Sequence, residues 1–102
     1  MAKKSLSSEI SENITELKKL KEKYPKDRKL SNRLQDMYDA LHQAQGKEWE
    51  EQVLEYKKAK EALDEAKKVA QDAINDLSKT AEAIDKAAKA IKLVLAALAL
   101  VL

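Results

Sequence analysis

The side chains that could carry chemistry in this chain of 102 residues are few, and their spacing does not bring them together. His42 is the single histidine, one helical turn after Asp39, and there is no cysteine. A metal site needs three or four convergent ligands, and the carboxylate-bridged di-iron bundles need paired Glu-x-x-His units that are absent here. His42 is therefore read as a residue at the edge of a core, hydrogen-bonded to Asp39 or to water. No Ser or Cys nucleophile is spaced to use it as a base. Glu48, Glu50, Glu51 and Glu55 form the densest acidic group, and Glu51 and Glu55 share a helix face. Acid–base work by paired carboxylates requires burial that shifts one of them, whereas Lys47, Lys57 and Lys58 beside this group mark a solvated surface. With one Gly in the whole chain there is no phosphate-cradling loop. The residues assign no catalytic, cofactor or metal site, and the chain reads as non-enzymatic.

One polar cluster does have a chemical meaning. Lys18, Lys19, Lys21, Lys23, Lys26, Arg28, Lys29 and Arg33 stand against only Glu22 and Asp27, so eight bases minus two acids leave +6 in this stretch. Such a patch suits the phosphates of nucleic acid or of anionic lipid, through contacts that salt weakens. Tyr24 is its only aromatic residue, so bases would find no stacking platform, and nucleic acid ranks below protein or lipid as a partner. The plainer reading is a solvated tip that offsets the acidic stretch from Lys47 to Asp76.

The elements that must position these groups are helices. The chain is rich in Ala, Leu, Lys and Glu, has no Phe, one Gly and one Pro, and its 20 basic and 18 acidic residues nearly cancel. These are helix formers, and the Val, Thr and Phe that strands favour are few or missing. Leu6, Ile10, Ile14, Leu17, Leu20 and Tyr24 recur at spacings of three and four, which predicts a helix over about 6–24 opened by Ser5, Ser7 or Ser8. Pro25 ends it, and Pro25 with Asp27 suits the start of a second helix over about 27–45, carried by Leu30, Leu34, Met37, Tyr38, Leu41 and Ala44. Gly46 is the expected stop, in a left-handed turn that glycine adopts without steric cost; its competitor is a Gly inside a continuous helix, at a cost of about 1 kcal/mol.

From about 47 to 102 the pattern predicts one long helix. Trp49, Tyr56, Leu63, Ala70, Leu77, Ile84, Ile91 and Leu98 form an apolar heptad column, with Trp49 plugging the bundle end beside Gly46. Beside it run Ala59, Ala66, Ala73 and Ala87, interrupted by Thr80 and widening to Val94 and Val101, so the partner helix should approach closely. Asn, Asp, Ser and Thr between Asn75 and Thr80 offer caps for a fourth helix, but the unbroken heptad phase favours continuity. Such a helix would be roughly 80 Å long against about 25 to 30 Å for the first two. Leu77, Ile84, Ile91, Leu95 and Leu98 would then project uncovered and forfeit on the order of 10 kcal/mol, so a second copy, another protein or lipid should cover them.

The expected fold is therefore all-α: a single domain over 1–102, an antiparallel bundle of two shorter helices on one long C-terminal helix, assembled as a homo-oligomer. The interface is assigned to Leu77, Ile84, Ile91, Val94, Leu95, Leu98 and Val101. The tail from Leu93 to Leu102 has no charge, and 87–102 is apolar except for Lys89 and Lys92. At about 24 Å it is too short to span a bilayer alone, but it suits either an oligomer core or partial insertion in a membrane. The function expected is helical interaction or assembly, with a membrane-active or tail-anchored protein as the alternative. Nothing after Met1 to Ser8 resembles a secretory signal, which makes the cytoplasm the expected location.

Overall fold

Asp27 and Asp76 place the two polar corners of the fold. The Asp27 carboxylate accepts a hydrogen bond from the Leu30 backbone N–H at 3.0 Å, capping one helix. Just before it, Pro25 sits in the turn that ends another, where the Tyr24 and Asp27 amides still find backbone carbonyls behind them. Asp76 accepts from Ser78 N at 3.2 Å and from Ser78 Oγ at 2.7 Å, at the start of a single 3-10 turn.

In this computed structural model, residues 6–45 and 54–99 are described, and among them every regular element is helical. Helix α1 spans Leu6–Lys23, α2 Arg28–Ala44, α3 Leu54–Asn75 and α4 Thr80–Ala99, with the 3-10 turn Leu77–Lys79 joining the last two. Gly46, Trp49 and the acidic residues Glu48, Glu50 and Glu51 lie outside the described residues, as do Ser5 and Val101.

The continuous helix expected from Lys47 onward is corrected by the break at Asn75 to Lys79. The cap donors and acceptors in that stretch outweigh the heptad phase for a physical reason. Breaking the helix forfeits a few hydrogen bonds, which Asp76, Ser78 and Thr80 largely replace; the Thr80 hydroxyl donates to the Leu77 carbonyl at 2.8 Å. In exchange, α4 buries its apolar face in its own chain. The described chain has extents of 36 × 25 × 19 Å and a radius of gyration of 13.1 Å. Its longest dimension is less than half of what an unbroken helix would need.

Packing follows a ring. α1 lies against α2 and α3, α4 lies against α2 and α3, and the α3–α4 interface is the most extensive. Leu6, Ile10, Leu17 and Leu20 of α1 are fully enclosed with Leu30 and Met37 of α2, Leu63 of α3 and Val94 of α4. The described members of the small-residue column, Ala59, Ala66, Ala73, Thr80, Ala87 and Val94, are all buried, and so are Ala83, Ala90 and Ala97 beside it on α4. The close helix approach that those alanines demand is therefore supplied within the chain.

One buried polar residue crosses this core. Asn13 is 1% exposed, and its side-chain amide donates to the Glu9 carbonyl in its own helix and to the Leu63 carbonyl of α3, both at 3.0 Å. Around it, Glu12 pairs with Lys67 at 3.5 Å across the same two helices, and Glu65 pairs with Lys86 at 2.7 Å between α3 and α4.

Candidate functional site

The basic corner is assembled by the turn between α1 and α2. Lys23 ends α1, Lys26 lies in the turn, and Arg28 and Lys29 open α2; all four side chains are exposed. Among the described residues, none of these four has a carboxylate partner. Lys18 reaches over the Tyr38 ring of α2, its Nζ 5.5 Å from the centroid, and Lys21 donates to the Ser31 hydroxyl. These two contacts tie α1 and α2 together. Lys19 leans on Glu16 at 3.7 Å, and Arg33 pairs with Asp36 at 3.3 Å. Arg33 Nε is shielded from solvent without a hydrogen-bond partner, so that guanidinium serves packing as much as surface charge.

The patch is thus graded. Lys21 and Arg33 are partly buried and engaged within the fold, Lys18 and Lys19 are exposed with a neighbour, and Lys23, Lys26, Arg28 and Lys29 form an unneutralised tip. Asp27 stands in the middle, but its carboxylate oxygen is committed to capping α2.

The residues assigned to self-association divide differently. Val94 is fully buried, and Ile91 and Leu98 are 7% and 3% exposed inside the chain's own core, with Ile84 packed against it. They are covered by α4 packing on α2 and α3, so the argument that an uncovered stripe demands a partner loses its basis. Leu77 and Leu95 remain at 41% exposure each, and Leu54, at the start of α3, is the most exposed large apolar residue at 58%. Among the described residues no helix is long and apolar enough to cross a membrane.

His42 is exposed near the end of α2. Asp39, one turn earlier, accepts instead from the Gln35 amide at 3.1 Å. Among the described residues no group of three or more His, Asp or Glu side chains is placed to hold a metal ion. A shallow groove between α1 and α3 is lined by Glu16, Lys19, Gln71, Asp72, Ile74 and Asn75, a mixture of both charges with no convergent set of donors.

Three displaced ionisations mark where charge is organised. The Lys86 ammonium hydrogen-bonded to Glu65 holds that carboxyl below the usual range, and the same contact raises Lys86. The Ser78 hydroxyl and backbone N–H lower Asp76. Glu65 and Lys86 belong to a tie between helices, and Asp76 to a cap.

Sequence reasoning passed over Asn13, although the signal was available: it is a polar residue between Ile10, Ile14 and Leu17 on the apolar face of α1. Comparison with known protein families, with characterised proteins and with solved structures finds no match for this chain.

Proposed function

We propose that the chain is a non-enzymatic assembly module: two antiparallel helical hairpins, α1–α2 and α3–α4, packed side by side and self-associating through the apolar end of the second. The observation that carries this reading is the exposure of Leu54 and Leu95. Counting outward from the Glu65–Lys86 pair, eleven residues back along α3 reaches Leu54 and nine onward along α4 reaches Leu95. An antiparallel α3–α4 hairpin therefore brings the two leucines to the same end. In the sequence, α4 is followed by three further apolar residues, Leu100, Val101 and Leu102. Burying two leucines and part of an apolar tail against a second copy would contribute about 1.5 to 3 kcal/mol for each side chain fully removed from water.

This narrows the interface from the heptad column as a whole to Leu54, Leu95 and the residues after Leu98. Ile91, Val94 and Leu98 then hold α4 in its own bundle and act on assembly only through that positioning.

The test is solution mass by light scattering coupled to size exclusion, with helix content followed by circular dichroism. The full chain should run as a discrete oligomer, and Leu54→Asp with Leu95→Asp should run as a folded monomer. A full chain that is monomeric at high concentration overturns the reading. Truncation before Leu93 is a poor substitute, because it would strip Val94, Ala97 and Leu98 from the core. The alternative is a membrane-active protein that meets lipid through the same apolar end. It predicts that neutral vesicles capture the full chain and that Leu95→Asp releases it.

A further inference from the structure

The unneutralised tip of the α1–α2 hairpin has a shape and a residue content that select among anionic partners. Its four exposed cations, Lys23, Lys26, Arg28 and Lys29, occupy the turn and the adjoining helix ends. Charges gathered on a helix-to-helix turn, rather than along the face of one helix, suit an extended charged surface better than the groove of a duplex. Three of the four are lysines, point charges on flexible stems that suit a diffuse field of phosphates. They do not offer the planar two-pronged geometry that guanidinium brings to a base edge or a single phosphate. Tyr24 and Tyr38 are both half-buried, with Lys18 over one face of the Tyr38 ring, which makes this a poor stacking platform for successive bases.

An exposed apolar residue lies toward the same end of the bundle. The groove between Glu16 and Lys19 of α1 and Gln71 to Asn75 of α3 sets the last turns of these two helices side by side. Leu77 follows two residues later at 41% exposure, with Lys79 beyond it. At this neighbouring corner Asp72 and Asp76 against Lys79 subtract one charge, which leaves the end of the molecule cationic. A cationic turn and a protruding leucine at one end of a molecule allow headgroup phosphates to hold the charges while the apolar group enters the interface.

We propose that this end of the bundle, the α1–α2 tip with Leu77 beside it, docks on an anionic phospholipid surface. The proposal does not depend on self-association, since the apolar end assigned to assembly lies at the other end of α4. It also differs from insertion of the tail in which end of the molecule touches lipid.

The experiment is sedimentation of the full chain with vesicles of phosphatidylcholine alone, or of phosphatidylcholine with phosphatidylserine. The chain should pellet only with the mixed vesicles and should be released by added salt. Lys23→Glu/Lys26→Glu/Lys29→Glu removes three exposed contacts and should weaken partitioning on the order of 100-fold or more, with helicity unchanged. Lys57→Glu/Lys58→Glu/Lys68→Glu makes the same change in net charge at exposed positions of α3 and should stay within a few-fold of the parent. Leu77→Asp should weaken lipid binding as well. Equal capture by neutral vesicles, or equal loss in the two triple variants, overturns the proposal. So does tighter binding to a DNA duplex than to the mixed vesicles at the same salt concentration, which would assign the tip to nucleic acid.

Discussion

The side-chain amide of Asn13 on α1 donates to the backbone carbonyl of Leu63 on α3 at 3.0 Å, linking residues 50 positions apart through the centre of the core. A second donation, to the Glu9 carbonyl, holds the amide in place. Both helices could slide along their apolar faces with modest loss of burial, but a buried amide that loses its acceptor pays a desolvation penalty. Asn13 therefore sets the register of α1 on α3.

Asn13→Ala should lower stability by about 1–3 kcal/mol, the cost of unmaking buried polar contacts and leaving a small void. In a domain of about 100 residues each kcal/mol shifts Tm by roughly 4–8 °C. Thermal unfolding followed at the helix signal should thus show a fall of about 5 to 20 °C, and an unchanged Tm would remove Asn13 from this role.

Ile91 and Leu95 lie one turn apart on α4 with opposite surroundings, 7% against 41% exposed. A charge buried without a partner costs several kcal/mol, a large part of a small domain's total stability. Ile91→Asp should therefore abolish most of the cooperative unfolding transition. Leu95→Asp should keep a cooperative transition, lower the solution mass, and lose no more stability than self-association supplies, so that its monomer unfolds at a midpoint independent of protein concentration. If Ile91→Asp stayed folded and merely dissociated, Ile91 would belong to an interface between chains.

Asp76, Ser78 and Thr80 hold the break between α3 and α4 open. Replacing all three with Ala removes the caps and supplies the best helix former, while Ala70, Leu77 and Ile84 keep the heptad phase across the junction. The variant should gain a population with a continuous helix, in which α4 packs on a second copy, because straightening carries α4 away from its own core. Size exclusion should resolve this dimer, which would exchange slowly with monomer.

The Glu65–Lys86 pair gives the α3–α4 interface a pH dependence. Hydrogen bonding to Lys86 lowers Glu65 from an ordinary value of 4.5, so its contribution is present above 4.5 and is lost as pH falls through the depressed value. Lys86 is raised from 10.5 by the same contact, so its contribution is present below 10.5 and is lost as pH rises past the raised value. Asp76 adds a loss on the acid side, below 3.8. Urea midpoints should therefore decline as pH falls below 4.5, and Glu65→Gln should flatten part of that decline. Salt should reduce the pair's contribution at neutral pH, because both side chains reach solvent.

The helices at Leu6–Lys23 and Arg28–Ala44 were legible in the chain itself. Leucines and isoleucines at spacings of three and four, a proline in the turn and an aspartate placed to cap carry that information within a few residues of where it is used. The clustering of Lys23, Lys26, Arg28 and Lys29 was legible for the same reason, since a turn keeps neighbours in sequence close in space. The fate of the residues after Asn75 was not. Their heptad phase is compatible with one long helix covered by a partner and with two helices folded on each other, and local propensity hardly separates the two. The tertiary structure decided it, through burial of Ala87, Ala90, Ile91, Val94 and Leu98 on helices from the same chain. That burial needs no second molecule and forfeits no translational entropy. It turns an apparent interface into a core and leaves only Leu54, Leu77 and Leu95 as large apolar side chains exposed among the described residues.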